Sequence, residues 1–268
     1  MTELLSPVLQ KFPLVVLPVP LLAPTSQEQA TRWSSKYWPT VYKKSNVFGP
    51  HPSLVSRAAE IIEHDAGKWL ALAAEVADRA YTEGSGERVG VVIVERHNGV
   101  GRPVAIAGDA RWLDWPRSSS GNVTAHAALR GIAMVAEGLK AKEELEAGIA
   151  QQVTNNGSGT IFRDQPHGIL EKGFSPPSDQ EGYLCHELEI YCTHEPCVMC
   201  SMAIVHSRFG KLVFKYRMDR TGGICADGEL GHGLFWRKEL NWTLLAWKWS
   251  ATQDVDGEQQ DIDKALNA

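Results

Sequence analysis

Residues 192–208 read Cys192-Thr193-His194-Glu195-Pro196-Cys197-Val198-Met199-Cys200-Ser201-Met202-Ala203-Ile204-Val205-His206-Ser207-Arg208. Leu184 to Cys192 alternates around Leu188 and Ile190 and predicts a strand. Pro196 breaks it, and Cys197 to Ser207 predicts a short helix. The order is therefore strand, turn, helix, with two cysteines three apart at the helix start. Both can reach one ion, and a helix amino end favours the thiolate that zinc requires. A CxxC by itself is common, and buried or incidental thiols remain the other reading of this one.

The upstream sequence adds a third ligand. Ala125 to Leu139 has an apolar side at Ala127, Ala128, Ile132 and Val135, with Thr124 placed to cap it, so His126 stands at a helix start. A histidine there is by itself usually incidental. Joined to a later P-C-x-x-C it gives the His/Cys/Cys set of zinc nucleobase deaminases, H-x-E followed by P-C-x-x-C. From about Lys68 to Trp249 the chain resembles the cytidine deaminase-like superfamily. Residues 192–208 are most similar to the tRNA adenosine deaminases within it. The resemblance implies a three-layer α/β/α fold with a mixed sheet, and a Zn2+ ion held by His126, Cys197 and Cys200.

One position departs from that pattern. The residue two after the histidine is Ala128, where active members carry the glutamate that moves a proton from the attacking water to the leaving amine. Alanine cannot titrate, and losing a placed acid–base group costs about 10²–10⁴-fold in rate. Glu137 lies about three helical turns further on, and Glu195 would have to swing back out of its turn; neither is a convincing substitute. A deaminase frame without the glutamate resembles the non-catalytic subunit of the eukaryotic heterodimeric enzyme that makes inosine at the tRNA wobble position. That resemblance implies a catalytic deaminase subunit and tRNA as partners, and a place in cytoplasm and nucleus. Two other readings stand beside it. One is an active zinc deaminase whose glutamate has been replaced by Ala128, and the other is a zinc-stabilised RNA-binding protein that acts alone.

Around this frame three further segments are expected. Residues 1–65 form an appended domain, with seven prolines by Pro50 and a helix from Thr25 or Ser26 to about Tyr37. Residues 66–249 form the deaminase-like domain, with a loose insertion at about 140–182. Residues 250–268 form an acidic tail. The helical pattern Ser53 to Tyr81 is expected to break at Gly67. Val89–Val94 and Val104–Ala107 read as a hairpin around Asn98-Gly99, and Leu212–Tyr216 and Trp242–Trp249 read as strands.

Composition excludes several classes. With Lys+Arg 27 against Asp+Glu 32, the net charge is −5, and the tail alone carries most of it. A uniformly basic nucleic-acid coat is therefore absent, while a local basic face is still open. Five cysteines, four of them between Cys185 and Cys200, make a poor disulfide framework. No apolar run reaches the roughly 18 residues of a membrane helix. The stretch Phe12–Leu22 is interrupted by Pro13, Pro18 and Pro20 and lacks a basic start, so an intracellular chain without a signal peptide is expected.

Arg32, Lys36, Lys43 and Lys44, interleaved with Trp33, Tyr37, Trp38 and Tyr42, make a candidate RNA surface, because loop RNA is held by stacking and phosphate contacts. A small domain burying its tryptophans under a solvated charge run reads equally well. His206, Arg208, Lys211, Lys215 and Arg217 form a second candidate basic group. Trp236, Trp242, Trp247 and Trp249 suggest a core edge or a subunit interface. Finally, the tail is long enough to return a carboxylate to the fourth zinc position.

Overall fold

A computed structural model describes residues 16–19, 24, 27–41, 50–116, 119, 121–148, 165–178, 183–236 and 240–250. The chain divides into two units, Met1–Phe48 and Gly49–Ala268. In the first, helix α1 spans Gln27–Lys36, and the chain turns before Pro39. The Thr40 hydroxyl donates to the Ala30 carbonyl, 3.0 Å, which folds residues 37–40 back along the helix.

The second unit begins with α2, Pro52–Glu63, and α3, Ala66–Thr82. The break between them falls at His64-Asp65 and not at Gly67, which sits in the first turn of α3. Its cause is Asp65. This residue leaves helical geometry at φ −137, and its carboxylate accepts from the Arg96 guanidinium at 2.8 Å. Strands β1, Gly90–His97, and β2, Val100–Gly108, form the expected hairpin, with Asn98 and Gly99 both at positive φ. Opposite Pro103 the register slips between Ile93 and Val94. Proline has no N–H to give the ladder, and β2 is an edge strand, where a bulge and a proline are tolerated.

Helix α4, Ala127–Glu146, continues past the point where the insertion was expected to begin. Strand β3 covers Glu189–His194, shorter at its start than the sequence suggests, because Leu184 and Glu187 take positive φ and make turns. Helix α5, Val198–His206, β4, Lys211–Tyr216, and β5, Leu245–Lys248, complete the order. The sheet runs β2-β1-β3-β4-β5. It is antiparallel from β2 to β3 and parallel from β3 to β5, a mixed sheet as expected.

Alternation along β1 sorts the core. Val92 and Val94 join Trp69, Leu70, Ala73 and Val76 of α3 on one face. Val91 and Ile93 join Ala127, Ile132 and Val135 of α4 and Ile204 of α5 on the other. Helices on both faces make three layers. Gly90 lets α3 lie directly on β1, since a side chain there would overlap the Ala73 carbonyl.

The described part of the insertion is not loose. Arg130 of α4 forms a buried pair with Glu171, 2.7 Å, and also donates to the Gly108 carbonyl. Glu171 accepts in turn from the backbone N–H of Gly108 and of His167. Further along, Ser178 donates to Glu95, and Arg102 reaches both Glu95 and the Pro176 carbonyl. Residues 165–178 are thus strapped across the β2 edge. The C-terminal tail after Ser250 lies outside the described residues, and so does the expectation that it supplies a fourth ligand.

Candidate metal centre

Two helix amino ends converge on the face of the sheet that α4 and α5 cover. His126 is the last extended residue before α4 and Cys197 the last before α5, while Cys200 lies in the first turn of α5. All three are buried, and one ligand atom from each lies within 4.8 Å of the others. His126 Nδ1 is 3.8 Å from Cys197 Sγ and 3.5 Å from Cys200 Sγ. Zinc–sulfur bonds of about 2.3 Å and zinc–nitrogen bonds of about 2.0 Å set tetrahedral edges of about 3.5–3.8 Å. The two histidine–cysteine distances match those edges, so the chemistry and spacing of the three residues fit a zinc ion.

The two thiols share a proton unequally. The Cys200 hydrogen bond and the nearby His126 pull the Cys197 thiol down to about 4, against the opposing effect of burial, and the Cys200 thiol is pushed up by the same hydrogen bond and by its own burial. A divalent ion would displace the protons the pair retains, because zinc binds thiolates.

A cleft of about 470 Å³ opens onto His126 and Cys197. Val123, Val198, Met199, Arg220, Thr221 and Leu230 supply the rest of its lining. Among the described residues no aspartate or glutamate lines it. Ala128 sits in the first turn of α4 at 5% exposure and presents a methyl group. Glu137 is exposed further along the helix. The Glu195 carboxylate is fully engaged by backbone N–H groups of Met218, Ile224 and Cys225, at 2.7–3.1 Å. Asp109 is held in a bidentate pair with Arg111.

The other cysteines and histidines stay outside the ligand group. Burial raises the thiols of Cys185 and Cys192, and it raises Cys225 to about 12. His194 is buried against Tyr216 with Nδ1 at Thr193 Oγ1, and burial lowers it to about 4, so its ring is neutral.

The second basic group does not form an open patch. Lys211 pairs with Glu189, and Arg217 pairs with Asp219 and Asp227. Arg208 lies between Tyr183 and Trp242 and donates to the Asn241 carbonyl. The tryptophans make a core edge. Trp242 packs on the α4–α5 side, Trp247 and Trp249 on the α3 side. In the first unit Arg32 and Lys36 are exposed on α1, Trp38 is 52% exposed, and Trp33 is half-buried. Tyr42, Lys43 and Lys44 lie outside the described residues.

Sequence reasoning found the triad and missed the cleft wall. Arg220, Thr221 and Leu230 come from a glycine-rich loop with no helical or strand period to mark it.

The family described as the cytidine and deoxycytidylate deaminase zinc-binding region matches residues 63–216, more than half of the chain. Over 71 residues the chain is 44% identical to the tRNA-specific adenosine deaminase subunit TAD3 of Saccharomyces cerevisiae, covering 26% of this chain and 22% of that protein. Over 61 residues it is 39% identical to the probable inactive tRNA-specific adenosine deaminase-like protein 3 of Danio rerio, covering 22% of this chain and 16% of that protein. The matched stretch thus spans about a fifth of the length of these curated relatives. A solved structure from studies of A-to-I editing by tRNA:A34 deaminases superposes with a TM-score of 0.44 at 20% identity, over 69% of this chain and 99% of that one.

Proposed function

The chain belongs to the cytidine and deoxycytidylate deaminase zinc-binding family, and from that premise we propose that it is a zinc-binding, catalytically inactive subunit that pairs with a catalytic tRNA adenosine deaminase and helps hold tRNA for adenosine-to-inosine conversion at the wobble position. One observation carries this reading. The metal triad is complete and opens on a cleft, yet that cleft has no carboxylate among the described residues. Zinc bound there supplies a Lewis acid. This chain contributes His126, Cys197 and Cys200 as ligands, apolar walls at Val123, Met199 and Leu230 that limit water, and at Ala128 nothing that can take up or return a proton.

Pairing is supported by the relatives' names as subunits and by the surface of α5. That helix carries no charged side chain other than His206 at its end, and it exposes Met199 at 41% and Met202 at 43%. Apolar side chains grouped on an uncharged helix favour a protein neighbour. The candidates for tRNA contact are Arg32, Lys36, Lys43 and Lys44 of the first unit, of which Arg32 and Lys36 are exposed on α1 near Trp38 and the other two lie outside the described residues.

The test is reconstitution. The purified chain alone is expected to give no inosine in tRNA, and its addition to the catalytic subunit to give it. Zinc-dependent inosine formation by the chain alone would overturn the reading. Ala128→Glu addresses the alternative of an active deaminase that has lost its glutamate, which requires activity in that variant without a partner.

A further inference from the structure

Glu195 is 1% exposed and makes no ion pair among the described residues, yet both its oxygens are engaged. Oε1 accepts from the N–H of Ile224, 3.1 Å, and of Cys225, 2.7 Å, and Oε2 accepts from the N–H of Met218, 3.0 Å. Three amides of one loop thus converge on one side chain, and that side chain stands two residues before a metal ligand. The same loop is sewn to the turn by its backbone. Gly223 N–H donates to the Pro196 carbonyl at 2.9 Å, and Gly222 bridges Cys197. Gly222 is obligatory there, because a side chain would overlap the Glu195 carboxylate. Within the clamped span lie Arg220 and Thr221, which form part of the cleft wall.

We propose that Glu195 is a positioning residue. Its carboxylate, through the three amide bonds, fixes residues 218–225 as the wall of the metal cleft, and so sets how easily a solute reaches the open side of the triad. This rests on the reading of His126, Cys197 and Cys200 as a zinc site. The sequence tempts one to read Glu195 as a reserve acid for Ala128. Its three backbone bonds assign it instead to holding the loop. Charge-assisted bonds of this kind are about twice as strong as neutral ones. A glutamine cannot replace them, because its amide nitrogen would face an N–H donor whichever way it is turned.

The experiment uses the full zinc-loaded chain. Zinc content, the rate at which 4-(2-pyridylazo)resorcinol strips the metal, and amide hydrogen exchange by segment are compared in wild type, Glu195→Gln, Gly222→Ala and the double variant. Glu195→Gln is expected to retain zinc, to exchange about tenfold faster at residues 218–225 with β1 and β2 unchanged, and to lose zinc to the chelator faster by a similar factor. Gly222→Ala attacks the same contact from the loop side without touching a charge. It should reproduce the effect, and the double variant should be no worse than the stronger single one. Glu195→Asp, which keeps the charge, should restore part of the protection.

Unchanged exchange and stripping in either single variant would overturn the proposal. So would effects that multiply in the double variant, or exchange that rises evenly across the unit. A wild-type chain without zinc would refute the metal reading alone. The exchange comparison would still decide the clamp.

Discussion

The metal corner and the β2 edge are built from opposite materials. At the edge every buried charge has its complement. Arg130 meets Glu171, Arg102 meets Glu95, and backbone groups use the remaining lone pairs. Nearby, Arg96 spans Asp65 and Glu189, with Tyr191 and Lys211 completing the cluster. The metal corner is left unfinished by its own side chains. Two thiols and an imidazole face one another beside a cleft whose described lining includes Arg220 and no acid. A region complete in itself explains stability. A region whose side chains fit an outside ion is where function is to be sought.

The largest expected effect tests that incompleteness. Cys197→Ser removes one of three ligands and should take zinc from about one equivalent toward none, with stability falling on the order of several kcal/mol, because metal affinity is folding free energy in such sites. Elemental analysis after dialysis, paired with a thermal melt, checks this. Full zinc in the variant would refute the ligand assignment.

Next comes the complete region. Arg130→Met leaves Glu171 buried without its cation and should cost about 3–5 kcal/mol in urea unfolding, with zinc content unchanged. Arg130→Met with Glu171→Leu should recover part of that loss, since removing both charges spares the desolvation of either. If the single variant proves neutral, the strap 165–178 does not depend on this pair.

Acid should also separate the two regions. Burial would raise Glu189, but the Arg96 hydrogen bond and the Lys211 charge outweigh it and hold the carboxyl below its usual range. A depressed carboxyl contributes stability that is present above its unfolded value of about 4.3 and is lost as pH falls through the folded value. Wild type should therefore lose stability more steeply than Glu189→Gln once pH drops below about 4.3. Parallel slopes in melts taken across that range would show that the cluster is not linked to protons.

How much was legible follows the same division. The cysteine pair could be read because its spacing is local, with Cys197 and Cys200 in one helical turn. His126 lies 71 residues before Cys197, and only the H-x-E…P-C-x-x-C pattern of the family the chain resembles joined it to them. The order of helices and strands gave a layered α/β domain, and the resemblance to the deaminases supplied the mixed sheet that the strand order shows. The strap could not be read, since nothing near Glu171 announces that it will meet Arg130 forty-one residues away. The helix break was misplaced at Gly67 because the Asp65–Arg96 pair that causes it is likewise long-range. For Arg208, Lys211 and Arg217, charge in the sequence suggested an open patch, and only the fold reveals their partners.

The smallest expected effect lies in the first unit, and it sharpens the comparison by adding exposed charges on α1. Arg32 and Lys36 are one helical turn apart on α1, both exposed. Lys36 Nζ sits 5.0 Å from the Tyr37 ring centroid, and Trp38 is largely open beside them. If they meet phosphate, Arg32→Glu with Lys36→Glu should weaken tRNA binding by the reconstituted pair several-fold near 0.1 M salt. It should also flatten the dependence of log K on log salt by about one unit per lost contact. Trp38→Ala should weaken binding by about 1–3 kcal/mol if a base stacks on it, with the salt slope unchanged. Zinc content and subunit pairing should not move in either variant, because neither alters the deaminase-like unit. A salt slope identical to wild type in the double charge reversal would return Arg32 and Lys36 to a solvated helix face and leave tRNA contact to be sought elsewhere on the pair.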